Sequence, residues 1–177
     1  SMQKLVGGTI QAIYPFDDSD LPLYGNVESV VVTQYELEDR FGEVVRSKIK
    51  SCEKYHFNKV GDVIEHAWYN SDGSLWYKGI YKYDSAGNVI EKANYNSYGS
   101  LNSKGIYKYD SAGNMIEKAN YNSDGSLNYK YTYAYDSAGN KIAEAYYCSD
   151  GSLDYKRIYK YDSAGNKIEE ASYVSDG

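Results

Sequence analysis

From Tyr55 onward the chain is built from one repeated unit of 26 residues. Full copies begin at Tyr55, Tyr81, Tyr107 and Tyr133, and a partial fifth copy occupies residues 159–177. A fixed period of roughly 20–50 residues is typical of repeat architectures, in which each unit packs mainly on its neighbours. Because the fifth copy stops inside a turn sequence, we expect the natural protein to continue beyond it.

Each copy contains two turn sequences of one design. Residues 84–87 read Asp-Ser-Ala-Gly, and residues 70–73 read Asn-Ser-Asp-Gly. An Asp or Asn side chain at the first position accepts hydrogen bonds from the turn backbone, and Gly at the fourth adopts a positive φ. The segments between turns are rich in Tyr and Ile and lack proline, as strands do. The sequence therefore predicts an all-β fold: an antiparallel β-meander of double-strand repeats, about eleven strands in an open or partly curled twisted sheet.

Three-residue hairpin loops set the pairing of each strand with the next. They place Asp84 opposite Asn88, Tyr83 opposite Val89, and Lys82 opposite Ile90. Strand alternation then sorts the remaining side chains between two faces. One predicted face carries Tyr81, Tyr83, Glu91, Ala93, Tyr95 and Leu101; the other carries Lys82, Ile90, Lys92, Asn94, Lys104 and Ile106, with Ile90 and Ile106 as cross-strand neighbours.

Repetition aligns identical tyrosines, so they are predicted to form two rows across the sheet, each neighbouring pair contributing roughly 0.2–1 kcal/mol. Trp68 and Trp76 occur only in the first copy, and we expect them to be neighbours on the opposite face. They either pack under the N-terminal residues or form a platform for a sugar ring or a partner. Aromatic rings make good interfaces, since they bury a large area at a low entropic cost. The candidate binding surface comprises Trp68, Trp76, Tyr81, Tyr83, Tyr107, Tyr109, Tyr133, Tyr135, Tyr159 and Tyr161.

The region before the array differs from the repeat. Residues 1–25 are interpreted as an extended N-terminal segment that begins with a tag scar, Ser1-Met2. Residues 26–54 are predicted to form a degenerate capping hairpin, in which residues 39–42 resemble the turn of the repeat. Residues 55–177 form the array of four full copies and one partial copy, and we expect one continuous domain.

Composition limits the kind of protein this is. Leu, Ile, Val and Phe make up under a fifth of the chain, while 23 residues are tyrosine, so half-buried rings have to replace a thick aliphatic core. The net charge is -6 and no basic block occurs, which argues against nucleic acid and anionic membranes as partners. No apolar run reaches the length of a membrane helix, so membrane insertion is not expected. Cys52 and Cys148 lie nearly four repeats apart and are predicted to be free thiols.

The recurring Tyr-x-Tyr-Asp-x-x-Gly-Asn sequence resembles the YD repeats of bacterial Rhs-like proteins. It occurs at residues 81–88, 107–114, 133–140 and 159–166. Residues 23–45 also look like the start of short bacterial YD-type repeat proteins, many of which are loosely labelled sugar-binding. In large Rhs and toxin proteins such repeats wrap into a shell, whereas this chain has few units and no core domain or toxin tip. The resemblance, over residues 23–177, implies a secreted or cell-surface bacterial protein.

No residue pattern in the chain indicates a catalytic, metal or cofactor site. His56 and His66 replace repeat lysines and are expected to be exposed, and no Cys-His cluster has zinc-ligand spacing. The turn aspartates lack the spacing of a calcium loop. The repeat glutamates are periodic and do not form the carboxylate pair that glycoside hydrolysis requires. We therefore predict that the protein is not an enzyme and binds no cofactor.

The sequence favours a non-enzymatic surface interaction or scaffold module that presents tyrosine rows. The alternative is a carbohydrate-binding module using aromatic platforms, and a hydrolase is a remote third. The expected partner is a protein or glycan at a cell surface. Pairing of edge strands and contact between tyrosine faces are two routes by which such an array self-associates.

Overall fold

The computed structural model describes residues 9–13 and 27–174 of the 177-residue chain. The strands are β1 Thr9–Ile13, β2 Ser29–Arg40, β3 Glu43–Phe57, β4 Val63–Asn70, β5 Leu75–Tyr83, β6 Val89–Tyr95, β7 Leu101–Tyr109, β8 Met115–Asn122, β9 Leu127–Tyr135, β10 Lys141–Tyr147, β11 Leu153–Tyr161 and β12 Lys167–Val174. They lie in one sheet in chain order, and no helix occurs among the described residues. From β2 to β12 the sheet is an antiparallel meander, which confirms the predicted fold class and strand number.

The first strand departs from the meander. β1 runs parallel to β2, with Thr9 opposite Ser29 and Ile13 opposite Thr33. The sequence predicted only extended or loop structure here, since residues 1–25 share nothing with the repeat. The Ser1-Met2 scar and the rest of that segment lie outside the described residues.

β2 and β3 form a hairpin whose tip differs from the predicted turn. Arg40 lies opposite Glu43, so the loop consists of Phe41 and Gly42 alone, with φ of 58° and 84°. Positive φ at both loop positions is type I′ geometry, which suits Asn or Gly better than Phe. The three-residue turn predicted here was therefore wrong, although the Asp39 carboxylate still accepts a hydrogen bond from the Gly42 amide at 2.9 Å.

The Asp-Ser-Ala-Gly turns of the repeat form as predicted. The Oδ1 atom of Asp110 accepts hydrogen bonds from the amides of Ala112 (2.9 Å) and Asn114 (2.8 Å), and its Oδ2 accepts one from Asn114 Nδ2 (3.0 Å). Gly113 has φ +86°. The same bonds recur at Asp84, Asp136 and Asp162. The Asp110 amide still donates to the Asn114 carbonyl, and the Gly113 amide to the Asp110 carbonyl, so the side-chain bonds add to the backbone bonds of the turn. In the turns at residues 70–73 and 122–125 the third residue takes the acceptor role: the Oδ1 atoms of Asp72 and Asp124 accept from the amides of Ser74 and Ser126.

A β-bulge beside each turn overturns part of the predicted face assignment. Tyr109 pairs with Met115 as expected, but Lys108 then pairs with Glu117, which leaves Ile116 without a partner in the ladder. A second bulge, at Asn128, follows the other turn. Each extra residue exchanges the two faces for every position beyond it.

The ladder of the third copy shows which side chains share a face. The tyrosine face carries Tyr107, Tyr109, Lys118, Asn120 and Tyr131, and the lysine face carries Lys108, Glu117, Ala119, Tyr121 and Lys130, each with the equivalent positions of other copies. In the second copy the Lys82 ammonium lies 3.1 Å from Glu91, and Lys78 lies 5.1 Å from the ring centroid of Tyr95.

Several predicted positions therefore change face. Those wrongly predicted to share the face of Tyr81, and now on the lysine face, are Glu91, Ala93, Tyr95 and Leu101. Lys92 and Asn94 move in the opposite direction, to the tyrosine face. Ile90 takes the bulge position, so it is not the cross-strand partner of Ile106: the equivalent Thr132 pairs with Glu117.

The most buried repeat position is a small residue on the lysine face. Ala67, Ala93, Ala119 and Ala145 are each at most 6% exposed. Ala67 lies between Lys54 and Lys78 in the ladder, and the ammonium of Lys54 lies 4.8 Å from the Tyr69 ring centroid. The lysine stems thus cover the alanine while their charges reach a neighbouring ring. This arrangement buries apolar surface without a second layer of structure.

The described residues group into two compact units. The first contains the described residues up to 81 together with residues 94–101, and the second contains residues 82–93 together with the described residues from 102 onward. The first unit includes the hairpin of β2 and β3, whose distal half extends past β4, since β3 pairs with β4 only from Ser51 to Phe57.

Candidate functional site

The tyrosines of the candidate surface do not form the straight rows that the sequence predicted. Tyr107 pairs with Lys118, and Lys118 with Tyr131, two residues before Tyr133. Straight across the sheet from Tyr133 lie Glu144 and then Arg157. Identical tyrosines therefore lie on a diagonal, about 7 Å further along the strand in each successive copy. A lysine or glutamate separates them in the ladder.

The second tyrosine of each Tyr-x-Tyr pair bonds the preceding copy. The hydroxyls of Tyr109, Tyr135 and Tyr161 donate to the backbone carbonyls of Val89, Met115 and Lys141, each at 2.9 Å. Those carbonyls belong to the residue just before each bulge. This bond, which we call the tyrosine latch, gives the three half-buried tyrosines a structural role within the second unit.

Five tyrosines of the second unit form a continuous ring cluster, the tyrosine cluster. Its members are Tyr129, Tyr131, Tyr133, Tyr146 and Tyr155. Tyr131 stacks on Tyr133 (centroids 6.1 Å, 3° between planes), and Tyr146 lies 4.9 Å from Tyr131 and 5.5 Å from Tyr155. All five are half-buried. Only Tyr133 was on the predicted surface.

The signal for this cluster was present in the sequence. Tyr131 stands where earlier copies have Gly79 and Gly105, and Tyr146 where they have Asn94 and Asn120. Comparison of copies position by position would have found both. In the earlier copies neighbouring tyrosine rings cover the glycine. A Cβ added at Gly79 would lie 2.9 Å from the Tyr77 hydroxyl and 3.1 Å from the hydroxyl of Tyr81, a residue of the predicted binding surface.

A charge network lies beside the tyrosine cluster. Glu144 is only 8% exposed and accepts hydrogen bonds from Lys141 Nζ (2.6 Å) and Arg157 (3.2 Å). Its backbone neighbour across the ladder is Tyr133. The Lys141 ammonium lies 5.6 Å from the ring centroids of both Tyr133 and Tyr159. The cations thus neutralise a buried carboxylate and bridge two tyrosines of the diagonal.

This network shifts the pKa values of its members. Burial raises the pKa of Glu144, but hydrogen bonds and charge from Lys141, Tyr159 and Arg157 outweigh it, so the net pKa is lowered. Burial and the charge of Glu144 raise the pKa of Tyr159, and the hydrogen bond to Glu144 raises that of Lys141. Glu144 is therefore held as a carboxylate, which disfavours a role as proton donor near neutral pH.

The fourth copy moves its charge pair from one face to the other. In the third copy Lys108 and Glu117 are 2.8 Å apart on the lysine face. The fourth copy has Ala134 and Ala143 at those positions, and its glutamate is Glu144, one residue later and on the tyrosine face. The repeat glutamates were predicted to be periodic, and Glu144 departs from that period by one residue.

In the first unit, the rings of Trp68, Trp76 and Tyr77 form a group that we call the aromatic corner. Trp68 and Trp76 are neighbours, as predicted, with centroids 5.6 Å apart and planes at 79°. They are 37% and 58% exposed. Trp68 pairs with Tyr77 on the tyrosine face, and Trp76 is the bulge residue. Trp68 was predicted to lie on the opposite face, and this was wrong because the bulge beside each turn exchanges the faces of the positions beyond it.

His66 is not the exposed strand residue that the sequence predicted, whereas His56 is. The His66 ring stacks on Tyr55 (centroids 4.3 Å, 7°), and its Nε2 lies 3.0 Å from Oε2 of Glu53. The Tyr55 hydroxyl donates to the same carboxylate oxygen at 2.5 Å. Since Glu53 lies opposite Trp68, polar groups flank the aromatic corner.

The cysteines and the turn aspartates form no further site among the described residues. Both cysteines are free thiols. The carboxylate oxygens of the turn aspartates accept hydrogen bonds within their own turns. Over residues 27–174 no group of three acidic, histidine or cysteine side chains is arranged to hold a metal. Within the described part of the chain, no helix has the length and apolar character needed to cross a membrane.

No family model matches this chain, and no curated protein matches it. Among solved structures it is similar to TcdB2-TccC3 without the hypervariable C-terminal region (TM-score 0.46, 16% identity, 81% of this chain and 9% of that chain). It is also similar to a porin-like protein from Bacteroides uniformis (0.39, 12%, 85% and 56%) and to a protein of unknown function from Bacteroides fragilis (0.32, 17%, 82% and 92%). The chain thus spans less than a tenth of the first protein and just over half of the second.

Proposed function

We propose that the chain is a non-enzymatic binding module of the YD-repeat type. Its tyrosine cluster would be the recognition surface for a protein partner at a bacterial cell surface. The observation that carries this proposal is the grouping of five half-exposed tyrosine rings on a sheet face that no second layer covers in the described part of the chain.

The chemistry of the cluster supports a protein partner. Tyr and Arg are enriched among residues that dominate protein interfaces, because they combine a large contact area with directed polar groups. Arg157 lies at the edge of the cluster, with its guanidinium 5.0 Å from the Tyr155 ring centroid. Contact with Glu144 and Tyr155 already orders this arginine, so less rotamer entropy is lost on binding.

A test can use substitutions that the repeat itself offers. Tyr131→Gly with Tyr146→Asn gives these two positions, one in the third copy and one in the fourth, the residues of the second copy, so the fold should persist. Asp154→Asn, at an exposed bulge position, is the matched control. Each protein is immobilised and incubated with bacterial envelope proteins, and the retained proteins are identified by mass spectrometry. We expect wild type and control to retain one partner that the double variant loses; equal recovery by all three would refute the proposal.

Carbohydrate binding at the aromatic corner is a second candidate. It is favoured by the near-perpendicular exposed indoles of Trp68 and Trp76, since a sugar ring can stack on one while its edge meets the other. Glu53 and His66 beside them can exchange hydrogen bonds with sugar hydroxyls. Trp68→Asn with Trp76→Asn restores the second-copy residues. A glycan array should show selective binding by wild type that this variant loses, and no binding by folded wild type would exclude the candidate.

A further inference from the structure

Two rings of the tyrosine cluster face each other across neighbouring strands. Tyr131 and Tyr146 lie directly opposite each other in the ladder of β9 and β10. The equivalent pair between β7 and β8 consists of Gly105 and Asn120. Both positions therefore depart from the repeat together, and the repeat fold itself requires neither ring.

Tyr131 and Tyr146 are also the closest pair of rings within the cluster. Their centroids are 4.9 Å apart, with 53° between the planes, whereas the other ring pairs of the cluster lie between 5.5 and 6.2 Å apart. Side chains directly opposite each other in an antiparallel ladder have Cβ atoms about 4.5–5.5 Å apart. A covalent bond between the two rings therefore requires little movement of the backbone.

Charged side chains separate other tyrosines of this face. Lys118 lies between Tyr107 and Tyr131 in the ladder, and Glu144 lies directly opposite Tyr133. Ring-to-ring contact across adjacent strands is thus a property of the tyrosine cluster and not of the tyrosine diagonal as a whole.

The cluster also suits the chemistry of phenol oxidation. Both rings of the pair are half-buried, so each keeps an accessible part. Burial raises the pKa of the Tyr131 and Tyr146 hydroxyls, so each phenol is protonated near neutral pH and loses a proton together with an electron. Tyr129, Tyr133 and Tyr155 contact the pair. An electron removed from one of these rings can be replaced from the pair, because the rings adjoin.

We propose that Tyr131 and Tyr146 are a site of covalent modification, at which a haem peroxidase with hydrogen peroxide joins the two rings as dityrosine. Each phenol loses one electron and one proton, and the two radicals form a carbon–carbon bond between ring carbons next to the hydroxyls. The hydrogens on the joined carbons then move to the oxygens, which restores both phenols. The peroxide accepts two electrons and two protons and leaves as two molecules of water.

The new bond ties β9 to β10 across the turn at residues 136–139. It closes the chain between Tyr131 and Tyr146, so it restricts the unfolded chain in the way that a disulfide does. This modification requires no binding partner. Its failure would leave the proposed recognition surface standing, and the absence of a partner would leave the modification standing.

The test treats the full chain at low concentration with a haem peroxidase and limiting hydrogen peroxide, and isolates the monomer. Trypsin cleaves after lysine and places Tyr131 in peptide 131–141 and Tyr146 in peptide 142–156. Mass spectrometry should find these two peptides linked, with a mass two hydrogen atoms below their sum, and fragmentation should locate the bond at Tyr131 and Tyr146. The linked monomer should unfold at a higher urea concentration than the untreated protein.

Tyr131→Phe and Tyr146→Phe are the test variants, because phenylalanine keeps the ring but has no phenol to oxidise. Each should lose the linked peptides and the urea shift, while unfolding of the untreated variants confirms that they fold. Tyr98→Phe is the matched control: Tyr98 is 90% exposed and lies outside the cluster, so this variant should keep both. The proposal is overturned by an oxidised monomer without the linked peptides, by unchanged linkage in Tyr146→Phe, or by a bond within peptide 142–156, which would join Tyr146 to Tyr155 instead.

Discussion

The tyrosine latch makes a quantitative prediction about how the copies hold together. Replacing Tyr135 with Phe removes only the hydroxyl that bonds the Met115 carbonyl at 2.9 Å. A neutral hydrogen bond contributes about 1 kcal/mol net, and because Tyr135 is half-buried, water replaces only part of it. We therefore expect Tyr135→Phe to lower the free energy of unfolding by about 1 kcal/mol.

The same bond recurs at Tyr109 and Tyr161, two strands or about 10 Å away on either side. Sites that far apart act independently, so the triple variant should lose about 3 kcal/mol. With a urea slope of about 2 kcal/mol/M, each single change moves the midpoint by about 0.5 M. Tyr98→Phe is the control, since Tyr98 is 90% exposed. If Tyr135→Phe unfolds at the same urea concentration as this control, the latch does not stabilise the array.

Three further predictions concern the turns, the lysine face and the charge network. The hydrogen bonds from Asn114 lower the pKa of Asp110. The stability that this carboxylate contributes is therefore complete above its unfolded pKa of about 3.9 and is lost as the pH falls through the lower folded value. In Asp110→Asn, the free energy of unfolding in urea should depend less on pH in this acid range. Ala119→Leu, at a position 1% exposed, should cost about 1–3 kcal/mol, whereas Ala112→Leu in an exposed turn should not. Glu144→Lys should lower the midpoint of thermal unfolding. Adding Lys141→Met and Arg157→Tyr, which completes the set of third-copy residues, should restore that midpoint.

The elements of this fold were predictable because each depends on a few neighbouring residues. An Asp followed by Gly three positions later closes its turn through bonds within the turn, so loops and strand number follow from the sequence. The faces were not predictable in this way. Alternation carries a single error along the whole strand. The bulge at Ile116 cannot be recognised from the residue, because isoleucine also occupies regular ladder positions such as Ile80 and Ile106.

The candidate site was only partly predictable, for a related reason. Residues that recur from copy to copy include Tyr109, Tyr135 and Tyr161, whose hydroxyls are occupied by the latch. A recurring residue in a repeat array is selected first for the contact between copies. Function is better sought where positions that face each other in the ladder change together, as at Tyr131 and Tyr146.

The fourth copy shows why such changes occur together. A carboxylate placed alone among tyrosine rings would cost several kcal/mol to desolvate, because it would have no counterion. Glu144 is accommodated because Lys141 and Arg157, which stand where the third copy has Met115 and Tyr131, place positive charge beside it. Ala134 and Ala143 leave the other face of this copy without the lysine–glutamate pair of the third copy. The same set of changes therefore places a charged edge beside the tyrosine cluster and small side chains on the reverse face. A single copy thereby acquires two distinct surfaces while its backbone stays that of the repeat.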